Sequence, residues 1–199
     1  MSKGATAGAA FQSLINHVNA SYERMGRAYI TRKAVPGKYI AGKASNTGEQ
    51  GHITLAEYRI TKQPILQRQF VPESKAEPDY GGIIHPYGQA IFFDAKTTKR
   101  NVLDFDNLHA HQIDFLIRAA RMGAMAGFLV EFSSYDEIYF LPITIVESWR
   151  EKQNRKSIPH LFFAENLPEA KPAPGLLFDY LAAIQNQSYE NTTRHDYQR

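Results

Sequence analysis

The sequence predicts an α/β fold, a mixed β-sheet flanked by helices, with a basic arm protruding from it. Three observations carry that expectation. Residues from about 5 to 25 place Phe11, Leu14, Ile15, Val18, Tyr22 and Met25 at three- and four-residue spacings, the period of an amphipathic helix. From 79 onward, apolar β-prone runs alternate with a helical pattern: Ala90-Ile-Phe-Phe93, then a helix at roughly 106–122, then Gly127-Phe-Leu-Val-Glu-Phe132. Between these regions, 34–69 is rich in Gly and Pro and poor in apolar side chains.

Taken in order, the first helix stops at Gly26, a residue suited to a helix C-terminus. Ala28–Lys33 reads as a short strand. In 34–69, Lys38-Tyr-Ile-Ala and Ile53-Thr-Leu-Ala-Glu-Tyr-Arg-Ile-Thr are β-prone pieces separated by Pro36-Gly37, Gly42, Asn46-Thr-Gly48 and Gly51. They predict a basic hairpin or pair of extended arms; the alternative is a long surface loop. Next, Gly81-Gly-Ile-Ile84, the turn His85-Pro-Tyr-Gly88 and the run ending at Asp94 make a β-hairpin. Asp104 or Asp106 caps the helix that follows, with Leu108, Gln112 and Leu116 on one face and Gly123 as its stop. Glu137–Pro142 is a further strand. A helix over about 143–152 turns Ile143, Val146 and Trp149 inward, and a last helix runs from Leu176 to about Gln185. Residues 1–185 are thus expected to form one domain with the arm inserted, and 186–199 a polar, disordered tail.

Composition narrows the function. Hydrophobic residues make up 43% of 199, with 12 Phe and 11 Tyr, enough for a sizeable core. No apolar run approaches the roughly 18–20 residues that span a membrane. The N-terminus has no apolar signal segment, and the absence of cysteine excludes disulfides, thiolate metal sites and Cys nucleophiles. A cytoplasmic protein is expected. Residues 1–70 hold ten basic and three acidic residues, a net +7, so the rest carries −4 of the total +3. A basic N-terminal third fits a surface that meets phosphates, though it also fits a solvated face.

The hairpin carries the chemistry. Its two ends meet, so Asp79 and Asp94 are expected to converge at one edge of the sheet. Lys96 lies two residues past Asp94 and therefore points to the same face. Two carboxylates can hold a hard divalent cation, Mg²⁺ or Mn²⁺, through oxygen ligands. An ammonium beside it can position a water or neutralise developing phosphate charge. Read singly, Asp79 after Pro78 is a turn residue, and Asp94-Ala-Lys96 is a solvated rim. Gln112, on the core-facing side of its helix, needs a partner: either a backbone group or the site itself. His109 and His111 lie beside it, but a His on a helix is more often structural or exposed than a metal ligand. Arg32, Lys33, Lys38, Lys43, Lys99, Arg100, Arg155 and Lys156 are candidate DNA-binding residues.

With these motifs in place, the chain resembles the RecU-type Holliday-junction resolvases of Gram-positive bacteria and their phages, within the PD-(D/E)xK nuclease superfamily. The signature is literal: Pro78-Asp79, fourteen residues, then Asp94-Ala-Lys96. Further matches are Gly8-Ala-Ala-Phe-Gln12, Asp79-Tyr-x-Gly82, Phe93-Asp-Ala-Lys-Thr-Thr98, His109-Ala-His-Gln112, Tyr139-Phe-Leu and Lys156-Ser-Ile-Pro159, so the likeness runs over roughly 8–185. It implies a restriction-endonuclease-like core and a homodimeric, Mg²⁺-dependent endonuclease that cuts four-way DNA junctions symmetrically, with host recombination proteins as further partners. It implies Asp79 and Asp94 as metal ligands, Lys96 and Gln112 as catalytic residues, and the arm as a stalk inserted at the junction. Two positions depart from the family. Asp94 stands where Glu is preferred, and Gln12 stands where the first helix has a Glu. Glu77 is a possible substitute carboxylate. A non-catalytic junction-binding protein and a nuclease acting on other branched DNA are the alternatives.

Overall fold

The computed structural model describes residues 3–33, 37–41, 68–72, 78–152 and 155–187. The chain divides into two units, Met1–Ala34 with Ala76–Arg199, and Val35–Lys75.

The larger unit is a five-stranded mixed sheet with helices on both faces. Helix α1 (Lys3–Arg24) buries Phe11, Ile15, Val18 and Tyr22. Leu14 and Met25 are 40% and 45% exposed, against expectation: Leu14 sits at the margin of the apolar stripe, and Met25 lies past the last helical residue. Gly26, at φ 65°, ends the helix. Its N–H reaches the Glu23 carbonyl and the Arg27 N–H reaches that of Tyr22, the paired bonds of a Schellman motif. Strand β1 (Ala28–Arg32) then pairs antiparallel with β4 (Tyr80–Ile84), and β4 with β5 (Gln89–Thr98), through the expected turn at 85–88. β5 runs parallel to β7 (Met125–Phe132), which pairs antiparallel with β8 (Glu137–Pro142). The order across the sheet is β1-β4-β5-β7-β8.

Glycine is required where the sheet is tightest. A Cβ on Gly82 would fall 2.1 Å from the Tyr29 carbonyl oxygen, and one on Gly127 would fall 2.2 Å from that of Leu141.

The parallel β5–β7 pair needs a crossover, which 99–124 supplies. β6 (Val102–Asp104) leads through a single 3₁₀ turn at Phe105–Asn107 to α2 (Ala110–Arg121). This corrects the expected cap: His109, not Asp104 or Asp106, is the N-cap of α2, and it makes no side-chain capping bond. The acidic residues instead precede and occupy the 3₁₀ turn. After β8, α3 (Ile143–Lys152) buries Ile143, Val146 and Trp149 as expected. β9 (Ser157–Pro159) pairs with β6, and α4 (His160–Asn166) follows; neither β9 nor α4 was expected. The last described helix, α5, covers 180–187, so Leu176 precedes it rather than opening it. Most of the expected tail, from 188, lies outside the described residues.

Strand alternation divides the core between the two faces. Ile91, Phe93, Leu129 and Phe140 face α1 and α5; Phe92, Phe128, Val130, Tyr139 and Leu141 face α2, α3 and α4. On the first face Asp179 caps α5 through the Ala182 amide and accepts bonds from the Tyr22 hydroxyl (2.8 Å) and the Arg27 guanidinium (2.7 Å). Burial pushes its carboxyl up, but those donors more than offset that and hold it below the usual carboxylate value.

In the smaller unit, β2 (Gly37–Ala41) pairs antiparallel with β3 (Arg68–Pro72), from Gly37 opposite Pro72 to Ala41 opposite Arg68. The partner of the first β-prone piece is therefore 68–72, beyond the expected limit of 69. Residues 53–61 lie outside the described residues.

Candidate active site

The sheet register builds the site. Tyr80 pairs with Phe93, which sets Asp79 beside Asp94, and the Asp79 amide lies 3.3 Å from Asp94 Oδ1. Phe93 faces α1, so Asp94 and Lys96 face α2, as period two requires. Gln112, in the first turn of α2, closes the group from above.

The contacts are short and few. Gln112 Nε2 donates to Asp94 Oδ1 at 2.7 Å, and Gln112 Oε1 accepts from Lys96 Nζ at 3.2 Å. Lys96 Nζ also lies 2.7 Å from Asp94 Oδ2. Oδ2 is buried, and the Lys96 ammonium is the group set against it. On the other side, Gln12 Nε2 donates to Asp79 Oδ2 at 3.2 Å. The α1 backbone at Gln12 is held by Tyr80, whose hydroxyl proton is shared between the Gln12 main-chain carbonyl (3.2 Å) and Asn16 Oδ1 (3.1 Å). Burial pushes the Tyr80 hydroxyl up to about 12, so it stays protonated and keeps donating.

Asp94 is 1% exposed. Burial pushes its carboxyl above the usual value; the Lys96 ammonium pulls it down, and the charge of Asp79 adds to the upward push. A cation seated against it would reverse the balance.

The donor set fits a hard divalent ion. Asp94 Oδ2 is a buried carboxylate oxygen that accepts no bond from Gln112 and faces the Lys96 ammonium, and Asp79 lies beside it. Among the described residues no three His, Cys, Asp or Glu side chains gather into a metal cluster. The nearby Glu131 is taken up on the opposite face by Thr97 Oγ1 at 2.7 Å. Two carboxylates with the remaining positions left to water or phosphate oxygen match Mg²⁺ better than a metal needing a full protein cage. The Gln12 amide presents its nitrogen, not its carbonyl, to Asp79.

The structure thus brings together Asp79, Asp94, Lys96, Gln112 and Gln12. Glu77 and Lys43 lie outside the described residues, and of Lys38 only the backbone, in β2, is described. Arg32, Lys99, Arg100, Arg155 and Lys156 are exposed; Arg100 pairs with Asp104, and the Arg155 guanidinium lies 5.7 Å from the Trp149 ring centre. Lys33 is half-buried. Sequence reasoning missed the part played by Tyr80 and Asn16. The available signal was the one-turn spacing of Gln12 and Asn16 on a single helix flank.

The sequence model of the family described as Recombination protein U matches residues 6–186. A protein of Streptococcus equi subsp. zooepidemicus named Holliday junction resolvase RecU is 27% identical over 186 residues, covering 92% of this chain and 83% of its own length. One of the same name from Streptococcus pneumoniae is 26% identical over 193 residues, covering 96% and 88%. The solved structure of Hjc, a Holliday junction resolvase from Archaeoglobus fulgidus, aligns with a TM-score of 0.42 at 13% identity, covering 77% of this chain and 92% of that one.

Proposed function

The chain belongs to the Recombination protein U family, and on that premise we propose that it is a metal-dependent endonuclease that resolves four-way DNA junctions. The observation that carries the reading is the convergence of Asp79, Asp94 and Lys96 under Gln112, on a chain whose relatives are named Holliday junction resolvases over most of their length.

Each residue has a distinct task. Asp79 and Asp94 supply the carboxylate oxygens for Mg²⁺, or Mn²⁺ in its place. An ion held by these two residues would supply Lewis acidity toward a phosphate oxygen and a water. Gln112 fixes the Asp94 carboxylate by its Oδ1 and leaves Oδ2 for the site. Lys96 Nζ, turned toward the same space, offsets the negative charge that grows on the phosphate oxygens in the transition state. Gln12 holds the Asp79 carboxylate from the α1 side. Arg32, Lys38, Lys43, Lys99, Arg100, Arg155 and Lys156 contact phosphates and position the DNA without reading its sequence. Two nicks in symmetric strands need two sites related by a two-fold axis, so the working form is a homodimer. The setting is the bacterial cytoplasm, with branched DNA as the partner. Among the described residues no helix is long and apolar enough to cross a membrane.

A second reading is supported by Gln12: with an amide nitrogen against Asp79, the protein binds junctions and cuts them weakly or not at all. Competition separates these outcomes from each other and from a general nuclease. Labelled four-way junction is offered with excess unlabelled duplex, flap or junction, and both binding and nicking are followed. Selective nicking of the junction supports a resolvase. Equal nicking of flaps and junctions refutes the junction preference, and selective binding without nicking supports the second reading.

A further inference from the structure

Lys33 is the second ammonium on the face that carries the carboxylates. It follows β1, and its amide N–H donates to the Asp79 carbonyl at 2.8 Å. Arg32 pairs with Tyr80 and Tyr80 with Phe93, so Lys33, Asp79 and Asp94 form a row across three adjacent strands. From there the side chain runs over Gly81, where a Cβ would fall 2.7 Å from Lys33 Cε. The route ends between two rings. Lys33 Nζ lies 4.9 Å from the Phe92 ring centre and 5.6 Å from that of Phe115, and the rings meet edge to face at 5.3 Å.

Both rings belong to the site's own framework. Phe92 precedes Asp94 by two residues on the same face of β5, and Phe115 lies one turn after Gln112 on α2. Along β5 the Asp94 carboxylate is therefore bracketed, with the Lys33 ammonium over Phe92 on one side and Lys96 on the other. The two β5 positions, 92 and 96, are about 13 Å apart along an extended strand. Ring faces attract a cation through their quadrupole, so the two rings hold the ammonium in place. A lysine led through a gap that only glycine leaves open, and met there by two aromatic faces, is a positioned charge rather than a solvated one.

We propose that Lys33 binds the DNA phosphate next to the scissile one, so fixing the register of the strand over Asp79 and Asp94. The inference rests on the nuclease reading above and deepens it.

The test crosses a protein change with a DNA change. Four-way junctions are made with a single neutral methylphosphonate at each phosphate neighbouring the nick in turn. Full-length wild type and Lys33→Ala are compared for binding in EDTA and for cleavage with Mg²⁺. In the wild type one of these substitutions weakens binding about tenfold, the size of one lost charged contact. Lys33→Ala weakens binding to unmodified junction by a similar factor and is indifferent to that methylphosphonate. Its salt slope falls by about one, and KM rises more than kcat drops. Lys33→Arg recovers part of the loss. Gly81→Ala, checked for folding by circular dichroism, weakens binding in the same direction, because its methyl meets both the lysine stem and the Phe92 ring that holds it. A Lys33→Ala protein that binds as wild type does, or that keeps the full methylphosphonate penalty, overturns the assignment. A wild type that binds but does not cut refutes the nuclease reading, and the binding cycle still decides Lys33. A wild type with no junction affinity refutes both.

Discussion

Gln112→Met should destabilise the protein by about 1.5–3 kcal/mol, the value of a buried hydrogen bond to a charged group. Gln112 is 6% exposed, and its Nε2 is the near donor to Asp94 Oδ1, at 2.7 Å. With that donor gone, the oxygen keeps only the Asp79 amide at 3.3 Å. Methionine has nearly the same length and shape, so the loss includes little cavity cost. The bond from Lys96 is longer, at 3.2 Å, and its donor has a second anionic neighbour, so it adds little. For a chain of this length each kcal/mol corresponds to roughly 2–4 °C in Tm, so thermal unfolding should move down by about 3–12 °C. Calorimetry on the metal-free protein reads this directly, and a cycle with Asp94→Asn isolates the pair. In the Asp94→Asn background the cost of Gln112→Met should shrink to below about 1 kcal/mol, that of a neutral bond. An equal cost in both backgrounds, or a Tm within about 1 °C of wild type, would refute the claim that Gln112 holds the Asp94 carboxylate.

Two further outcomes follow from the same geometry. Asp179 has a lowered carboxyl, so its stabilising contribution is present above about pH 4 and is lost as pH falls through its folded value. The Tm gap between wild type and Asp179→Asn should therefore be widest above the usual carboxylate range and narrow as pH falls below it; a gap that stays constant on acidification contradicts the Arg27–Tyr22–Asp179 account. Gln12→Glu puts a third carboxylate against Asp79. It should lower the Mg²⁺ concentration that half-saturates the protein, read as the Mg²⁺-induced rise in Tm, and a curve identical to wild type would show that position 12 does not face the ion.

How far the sequence foretold this structure varied with the range of the interactions involved. The hairpin that brings Asp79 to Asp94 was legible, because alternation and a four-residue Pro/Gly turn are local signals. So was Gln112, an amide on an otherwise apolar helix face that needed a partner. The start of α2 was misread: Asp104 and Asp106 are strong capping residues, but a 3₁₀ turn stands between them and the helix. β6 and β9 are three residues each, too short to show a period, and they exist through their pairing with each other. β3 likewise is defined by a partner distant in sequence. Leu14 has the spacing of a core residue, yet the width of the buried stripe is set by what packs against α1. Lys33 reads as one more basic residue in the chain. Its course over Gly81 to Phe92 and Phe115 depends on three residues from two strands and a helix, and no local pattern encodes it.

The central claim is that Asp79 and Asp94 form the metal-dependent cutting site of a junction resolvase. A synthetic four-way junction, labelled on each strand in turn, tests it most directly when incubated with wild type or Asp79→Asn, with Mg²⁺ or with EDTA. The account predicts paired nicks at symmetric positions that require both Mg²⁺ and Asp79, while Asp79→Asn still binds the junction. Nicking that persists in Asp79→Asn or in EDTA would contradict the site, and tight binding by wild type without any nick would contradict the enzyme.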